Sequence, residues 1–216
     1  MKKLFVAALA AVCALGVSAQ RASDATEFSF WDSDAAQEKV TIGLRVGMNV
    51  ANIGGKNIDG FDSKIGLNGG VSVDFNLTNS FSINSGLFFT QKGAKAEDGD
   101  YEERLTANFI ELPIYASYRM NFAPQSQLQI FFGPYLDYGV YGKITEKEDG
   151  EEESYSVYEG EDSFKRFQMG LGIGAGYTFH KVYVGLQYQF GLTKMFDAGD
   201  AKPKYNNFSI SVGYNF

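Results

Sequence analysis

Thiol and imidazole chemistry are almost absent from this chain: its 216 residues include one cysteine and one histidine. Cys13 lies inside an apolar N-terminal stretch, with Val12 where a small residue would precede a lipidated cysteine, so an ordinary discarded peptide is the expectation. The sole histidine, His180, falls in a short turn between two strand-like segments. A Ser-His-Asp or Asp-His arrangement at the opposite rim therefore lacks its base. Positive charge is also scarce, with 19 Lys and Arg against 26 Asp and Glu. That balance excludes a nucleic-acid partner, which needs clustered cations to neutralise phosphates. Finally, no run of 18 apolar residues follows the first 17, so membrane-spanning helices are not expected. Any insertion into a bilayer must use a closed barrel, the other structure that satisfies its backbone internally.

The N-terminus reads as a secretory signal over residues 1–19. Lys2 and Lys3 form its basic end, Leu4 to Val17 its apolar stretch, and Val17-Ser18-Ala19 its small-residue cleavage site. Residues 20–39 are polar, apart from Phe28, Phe30 and Trp31, and read as a flexible periplasmic lead. Residues 40–216 are expected to form one domain.

From Val40 onward the sequence alternates apolar and polar residues with the period of a strand. Eight strands are expected: about Val40 to Val50, Lys64 to Leu77, Phe81 to Lys92, Thr106 to Phe122, Gln127 to Lys143, Phe164 to Phe179, Val182 to Thr193 and Tyr205 to Phe216. Thr78-Asn79-Ser80, Ala123 to Ser126, and His180-Lys181 read as tight turns. Between them run longer polar segments, Ala51 to Ser63, Gly93 to Leu105, Ile144 to Ser163 and Lys194 to Lys204. Strict alternation of short and long connections points to an all-β, eight-stranded antiparallel up-and-down transmembrane barrel. Both termini and the short turns would then be periplasmic, and the long loops external.

The last strand carries the pattern most clearly. Phe208, Ile210, Val212, Tyr214 and Phe216 share one face, while Asn207, Ser209, Ser211, Gly213 and Asn215 share the other. Alternation alone does not say which face is outside, and a secreted lipocalin-like barrel would point its apolar faces inward. Small residues on the polar face and aromatics near strand ends favour lipid outside. Phe75, Phe81, Tyr118, Phe122, Tyr177, Phe179, Tyr214 and Phe216 would form a girdle at the turn end. Gly170, Gly172, Gly174 and Gly176 resemble a phosphate loop only superficially, because no helix follows them. They are expected instead to make room for large side chains from opposite walls.

Two segments carry a resemblance to a known family. Phe109-Ile110-Glu111-Leu112-Pro113-Ile114-Tyr115 looks like the Leu-Glu-Ile-Pro-Leu type of strand in PorT-like outer-membrane barrels, a family common in Bacteroidetes. Gly133-Pro134-Tyr135-Leu136 resembles that family's Gly-Pro-Tyr strand. The glycine-alternating sixth strand and Val212-Gly213-Tyr214-Asn215-Phe216 are similar too. The resemblance implies an eight-stranded barrel in the outer membrane, surrounded by lipid and lipopolysaccharide. It also implies a terminal signal, Val212, Tyr214 and Phe216, presented to the barrel-assembly machinery. No catalytic or ligand residues come with it, and one branch takes part in protein secretion.

With apolar residues facing lipid, Arg45, Asp74, Glu111, Arg119 and Asp137 point inward. Unpaired charges there would be costly, so two groups of ion pairs are expected: Asp74 with Arg119, and Arg45 with Glu111 and Asp137. They would plug the lumen; a switchable pair gating protons or ions is the alternative. The segment Ile144 to Ser163 holds Glu146, Glu148, Asp149, Glu151, Glu152, Glu153, Glu159, Glu161 and Asp162. Its spacing does not match a calcium-binding loop, and neither a metal nor another cofactor is expected. Tyr101, Tyr155 and Tyr158 are candidates for contacts on the external rim. Catalysis is not expected, and eight strands are too few for a wide pore. The reading is a plugged membrane scaffold, or a surface protein that binds a partner through its loops. A narrow pore and an accessory barrel of a secretion system are the alternatives.

Overall fold

The computed structural model describes residues 36, 38–55, 62–98, 101–123, 125–148, 151–159, 163–196 and 202–216. The expected signal peptide, nearly all of the 20–39 lead including Trp31, and Asp149, Glu161 and Asp162 lie outside them. The strands are β1 (Val40–Gly54), β2 (Asp62–Asn76), β3 (Phe81–Asp98), β4 (Tyr101–Ala123), β5 (Ser126–Glu148), β6 (Glu151–Ser156), β7 (Phe167–Phe179), β8 (Val182–Gly191) and β9 (Lys204–Asn215). All pairings are antiparallel. Eight of the strands close into a ring, β1-β2-β3-β4-β5-β7-β8-β9 and back to β1, and β6 pairs with β5 alone.

Closure follows from the period-two pattern. On β1, Val40, Ile42, Leu44, Val46, Met48 and Val50 are all exposed, while Gly43, Arg45, Asn49 and Ala51 are buried. On β8 and β9, Val182, Val184, Phe190, Ile210, Val212 and Tyr214, followed by the terminal Phe216, continue the same outward apolar belt. An exposed apolar surface that encircles the whole molecule has no stable place in water. It matches the hydrocarbon-facing band of a barrel in lipid. The lipocalin-like alternative is thereby overturned: Val184 and Ile210 are 46% and 49% exposed, whereas Arg45 and Glu111 are each 7% exposed.

Aromatic rings edge the belt. At the turn end Phe75, Phe122, Phe179, Tyr214 and Phe216 are exposed, and Phe81 packs on Tyr118 at 5.3 Å. Tyr138, Tyr141, Phe167 and Phe190 form a second exposed set toward the opposite rim. The three tight turns fall at Leu77 to Ser80, between Ala123 and Ser126, and at His180-Lys181. His180 adopts φ of 56°, the left-handed conformation that two-residue hairpin turns demand.

The long connections depart from expectation. Gly93 to Leu105 is not a loop: β3 runs to Asp98 and β4 restarts at Tyr101, with pairing continuous from Lys92↔Ala107 to Asp98↔Tyr101. Ile144 to Ser163 is likewise mostly strand, with β5 reaching Glu148 and β6 returning beside it. At ~3.3 Å per residue and a tilt of ~40°, a strand of 23 residues such as β4 or β5 stands roughly 55 Å tall. The apolar band needs only ~25 Å of that height. The surplus forms a wall of β3, β4, β5 and β6 beyond the belt. Polarity was a poor guide here, because a strand with water on its outer side can be polar there and remain paired.

Candidate functional site

The inward faces fill the lumen in layers. Nearest the turn end, the Arg119 guanidinium donates to Asn76 Oδ1 and to the Thr78 carbonyl, each at 2.5 Å. Asn76 in turn donates to Thr41 Oγ1 and to the Glu38 carbonyl, tying the start of β1 to this layer. Above it, Asp74 Oδ1 accepts from Asn84 at 2.6 Å and from Gln129 at 3.4 Å. Arg45 Nη2 lies 3.6 Å from Asp74 Oδ2, and the guanidinium stacks 3.9 Å over the Tyr183 ring.

At mid-height sits a buried triad. Lys92 Nζ is 2.7 Å from Asp137 Oδ2 and 3.1 Å from Glu111 Oε2. The ammonium also lies 4.6 Å from the centre of the Tyr135 ring. Gln189 donates to Glu111 Oε1 at 2.8 Å, and its own carbonyl accepts from Asn207 at 3.0 Å. The Tyr115 hydroxyl accepts from Gln187 at 2.9 Å, and its ring stacks on Phe131 at 5.3 Å.

The five inward charges expected from sequence are all buried, but their partners differ. Asp74 pairs with Arg45, not Arg119, and Glu111 and Asp137 share Lys92, not Arg45. Strand register explains the exchange. Arg45 faces Gly70 and Gly213, whereas Asp74 faces Thr41, so the long arginine leans toward the turn end to meet it. Glu111 and Asp137 face each other across β4 and β5. Lys92 stands one strand away on β3, closer to both than any arginine. Its signal in the sequence is the inward series Ser82, Asn84 and Thr90, which Lys92 continues at the point where the apolar outer face of β3 gives out.

The β7 glycines do admit large rings, though from nearby strands and not opposite walls. A Cβ on Gly172 would lie 2.5 Å from the Tyr115 hydroxyl, and one on Gly174 would lie 2.4 Å from Phe131 Cζ. Those on Gly170 and Gly176 would strike Tyr135 and Tyr183.

Beyond the belt the inward face changes character. Ile53 of β1 and Ala94, Leu105, Ala107 and Phe109 of the wall meet Val157 and Tyr158 after β6, Met195 after β8, and Tyr205 of β9 in one apolar cluster. Backbone bonds hold the cap down: Val157 N–H donates to the Gly142 carbonyl at 3.1 Å, and Lys165 N–H to the Met195 carbonyl at 2.7 Å. The Arg166 guanidinium stacks 4.6 Å over Tyr158. With water outside the wall, the dry core returns to the inside, so polarity inverts relative to the belt. Under this cap the lumen retains a void of about 40 Å³, bounded by Arg45, Glu111, Tyr115 and Tyr183 among others. That is room for a few waters.

Outside the belt, Tyr155 donates to Glu153 Oε2 at 2.7 Å, and that bond pushes its phenol up to about 12. Glu103, opposite Glu146, is held above the usual carboxylate range, first by burial and then by the Glu146 charge. No group of three or more His, Cys, Asp or Glu side chains suited to a metal ion occurs among the described residues.

A closed ring of eight antiparallel strands with an apolar belt and a filled polar lumen defines a small transmembrane β-barrel. The sequence model described as "Outer membrane protein beta-barrel domain" matches residues 19–197, and the chain belongs to that family. It is an outer-membrane β-barrel protein, embedded in the bilayer. No curated protein sequence matches it. Among solved structures it is similar to Ail, the attachment invasion locus protein of Yersinia pestis, in a complex with the heparin analogue sucrose octasulfate. Identity there is 16% over 83% of this chain and 100% of that one, with a TM-score of 0.45. Neisserial surface protein A gives 12% identity, the same coverages and a TM-score of 0.45. OprG from Pseudomonas aeruginosa gives 10% identity, 86% and 99% coverage, and a TM-score of 0.43.

Proposed function

We propose that this protein is a non-enzymic outer-membrane scaffold with a plugged lumen, which acts through the wall and cap that stand beyond the belt. The filled lumen carries the reading: among the described residues, packed side chains occupy the layers from Arg119 to the apolar cap, and the void beside Arg45, Glu111 and Tyr183 is about 40 Å³. An open solute path would need a continuous aqueous bore, which belongs to barrels of about 16–18 strands. In this reading the short turns and both termini face the periplasm and the wall faces outward. Val212 and Tyr214 on the last strand and the terminal Phe216, all exposed, serve as the signal read by the assembly machinery.

Planar-bilayer recording tests the plug. The expected result is no steady unitary conductance from the purified barrel, with Arg45→Ala equally silent. Steady conductance that changes in Arg45→Ala would establish a gated pore in its place.

A further inference from the structure

The outer face of the wall carries a second feature, remote from the lumen. Pairing between β2 and β3 slips by one residue between Ser63 and Asn68, a β-bulge with the extra residue on β2. Bulges re-aim side chains. Here Lys64 reaches across to β4, donating to the Leu105 carbonyl at 3.2 Å and to the Thr106 hydroxyl. Lys95 and Arg104 are paired across β3 and β4, and Thr106 and Lys143 across β4 and β5, so their side chains rise on the same face. These five residues and Thr145 line a recess of about 410 Å³. That lies within the ~300–1,000 Å³ of sites that hold organic ligands.

Four cations meet in this recess, in a chain whose net charge is −7. Glu152 lines one side, and Glu102 binds Arg104, with Arg104 Nη2 donating at 2.8 Å. Among the described residues, Lys64, Lys95 and Lys143 form no ion pair. The Lys64 ammonium titrates below the usual lysine range, first through burial and then through the charges of Arg104, Lys95 and Lys143. Like charges held this close favour a multivalent anion that neutralises them together.

Position selects which anion. Ile65, 62% exposed, lines the lip of the recess and belongs to the belt. The cations therefore sit where hydrocarbon gives way to headgroups, on the lipid side of the wall. We propose that the recess of Lys64, Lys95, Arg104 and Lys143 binds the phosphorylated sugar headgroup of an outer-leaflet glycolipid, with its acyl chains lying along the belt below Ile65. This rests on the reading above that the wall faces outward.

Native mass spectrometry of the full chain in detergent micelles tests the site independently of orientation. The probes are bisphosphorylated lipid A and its dephosphorylated form. The expected result is retention of the phosphorylated lipid, with binding at least roughly tenfold weaker for the dephosphorylated one. Lys95→Gln/Lys143→Gln should lose a similar factor, and Lys95→Arg/Lys143→Arg should keep its affinity. A heat-dependent gel shift verifies that each variant is folded. Equal binding of both lipids by the wild-type chain overturns the proposal whether or not the variants fold. So does a folded Gln variant that binds within twofold of wild type. Displacement of the lipid by equimolar pyrophosphate would make the recess a site for soluble anions and also overturn it. Protease access to the β3–β4 hairpin in whole cells checks orientation separately, so an inverted barrel and a failed site give different results.

Discussion

Lys92 stands between two carboxylates, fully buried, with no bulk water to screen any of the three. Removing one member of such a group leaves uncompensated charge inside, which costs ~3–5 kcal/mol, whereas removing all members together is often nearly neutral. Lys92→Met should therefore lower the urea midpoint of the vesicle-inserted barrel by an amount equivalent to that loss. Lys92→Met/Glu111→Gln/Asp137→Asn should recover most of it. A single variant as stable as wild type would mean the triad is solvated. Gly172 makes a purely steric case. The three atoms nearest to a Cβ there all belong to the Tyr115 side chain, the closest at 2.5 Å, and Tyr115 is pinned by its stack on Phe131. Gly172→Ala should cost ~1–3 kcal/mol. The Gly172→Ala/Tyr115→Leu pair should show a coupling of at least ~0.5 kcal/mol in a double-mutant cycle. His180 holds φ of 56°, which glycine adopts without the Cβ clash. His180→Gly should thus stabilise the turn by roughly 1 kcal/mol, read as a raised urea midpoint.

The two faces of the wall differ in charge, the recess side mixing its cations with Glu102 and Glu152. On the recess side lie Lys95, Arg104 and Lys143; on the other, Glu103, Glu146 and Glu153 stand directly across from one another on β4, β5 and β6. Like charges opposed across strands are destabilising by some tenths of a kcal/mol, less where water screens them. The raised titration of Glu103 gives this a pH signature. A carboxyl whose folded pKa is raised binds its proton more tightly in the folded state. Stability is therefore greatest when the group is protonated and falls as pH rises through the folded value. Glu103→Gln should slow amide exchange in the 101–106 and 143–148 segments by roughly two- to fivefold at pH 7. Near pH 3, well below the ordinary glutamate value of about 4.3, Glu103 is protonated in both states and the two proteins should exchange alike. Equal exchange at pH 7 would show that the carboxylates are fully solvated.

These strands also mark how far pattern reading reaches. Val40 to Val50, Val182 to Phe190 and Phe208 to Phe216 were legible because one environment, lipid outside and packed polar groups inside, holds along their whole length. β3, β4 and β5 cross from that environment into water, where the inside becomes apolar and the outside charged. The alternation continues through Leu105, Ala107 and Phe109, but its meaning reverses, and a search for one sense of amphipathicity ends the strand too early. The inward charges were visible for the same reason as the belt. Their pairing was not, since it depends on which long side chains lean along the axis.

The molecule closes its lumen twice, by independent means. The inner closure is built into the wall: the Arg45–Asp74 pair, the Lys92 triad, and the Tyr115–Phe131 stack on the β7 glycines. The outer closure is borrowed from connections, since Val157, Tyr158 and Met195 lie on segments outside the ring and reach the mouth only by folding back. Disrupting one should leave the other intact, because they share no strand pairing. Val157→Asp/Met195→Asp places carboxylates in an apolar cluster with no cation among its members, a cost of several kcal/mol that the cap can escape by swinging into water. The barrel should still form and resist denaturant through its ladder, and it should remain electrically silent because the inner layers persist. Protease should now cut between residues 157 and 166 far faster than in wild type. Adding Tyr115→Ala and Phe131→Ala to that variant removes the rings from mid-height but leaves the Arg45–Asp74 pair and the Lys92 triad, so it too should show no steady conductance. Conductance from the uncapped variant alone would mean that the inner layers are no barrier, and that the cap by itself separates this lumen from the outside.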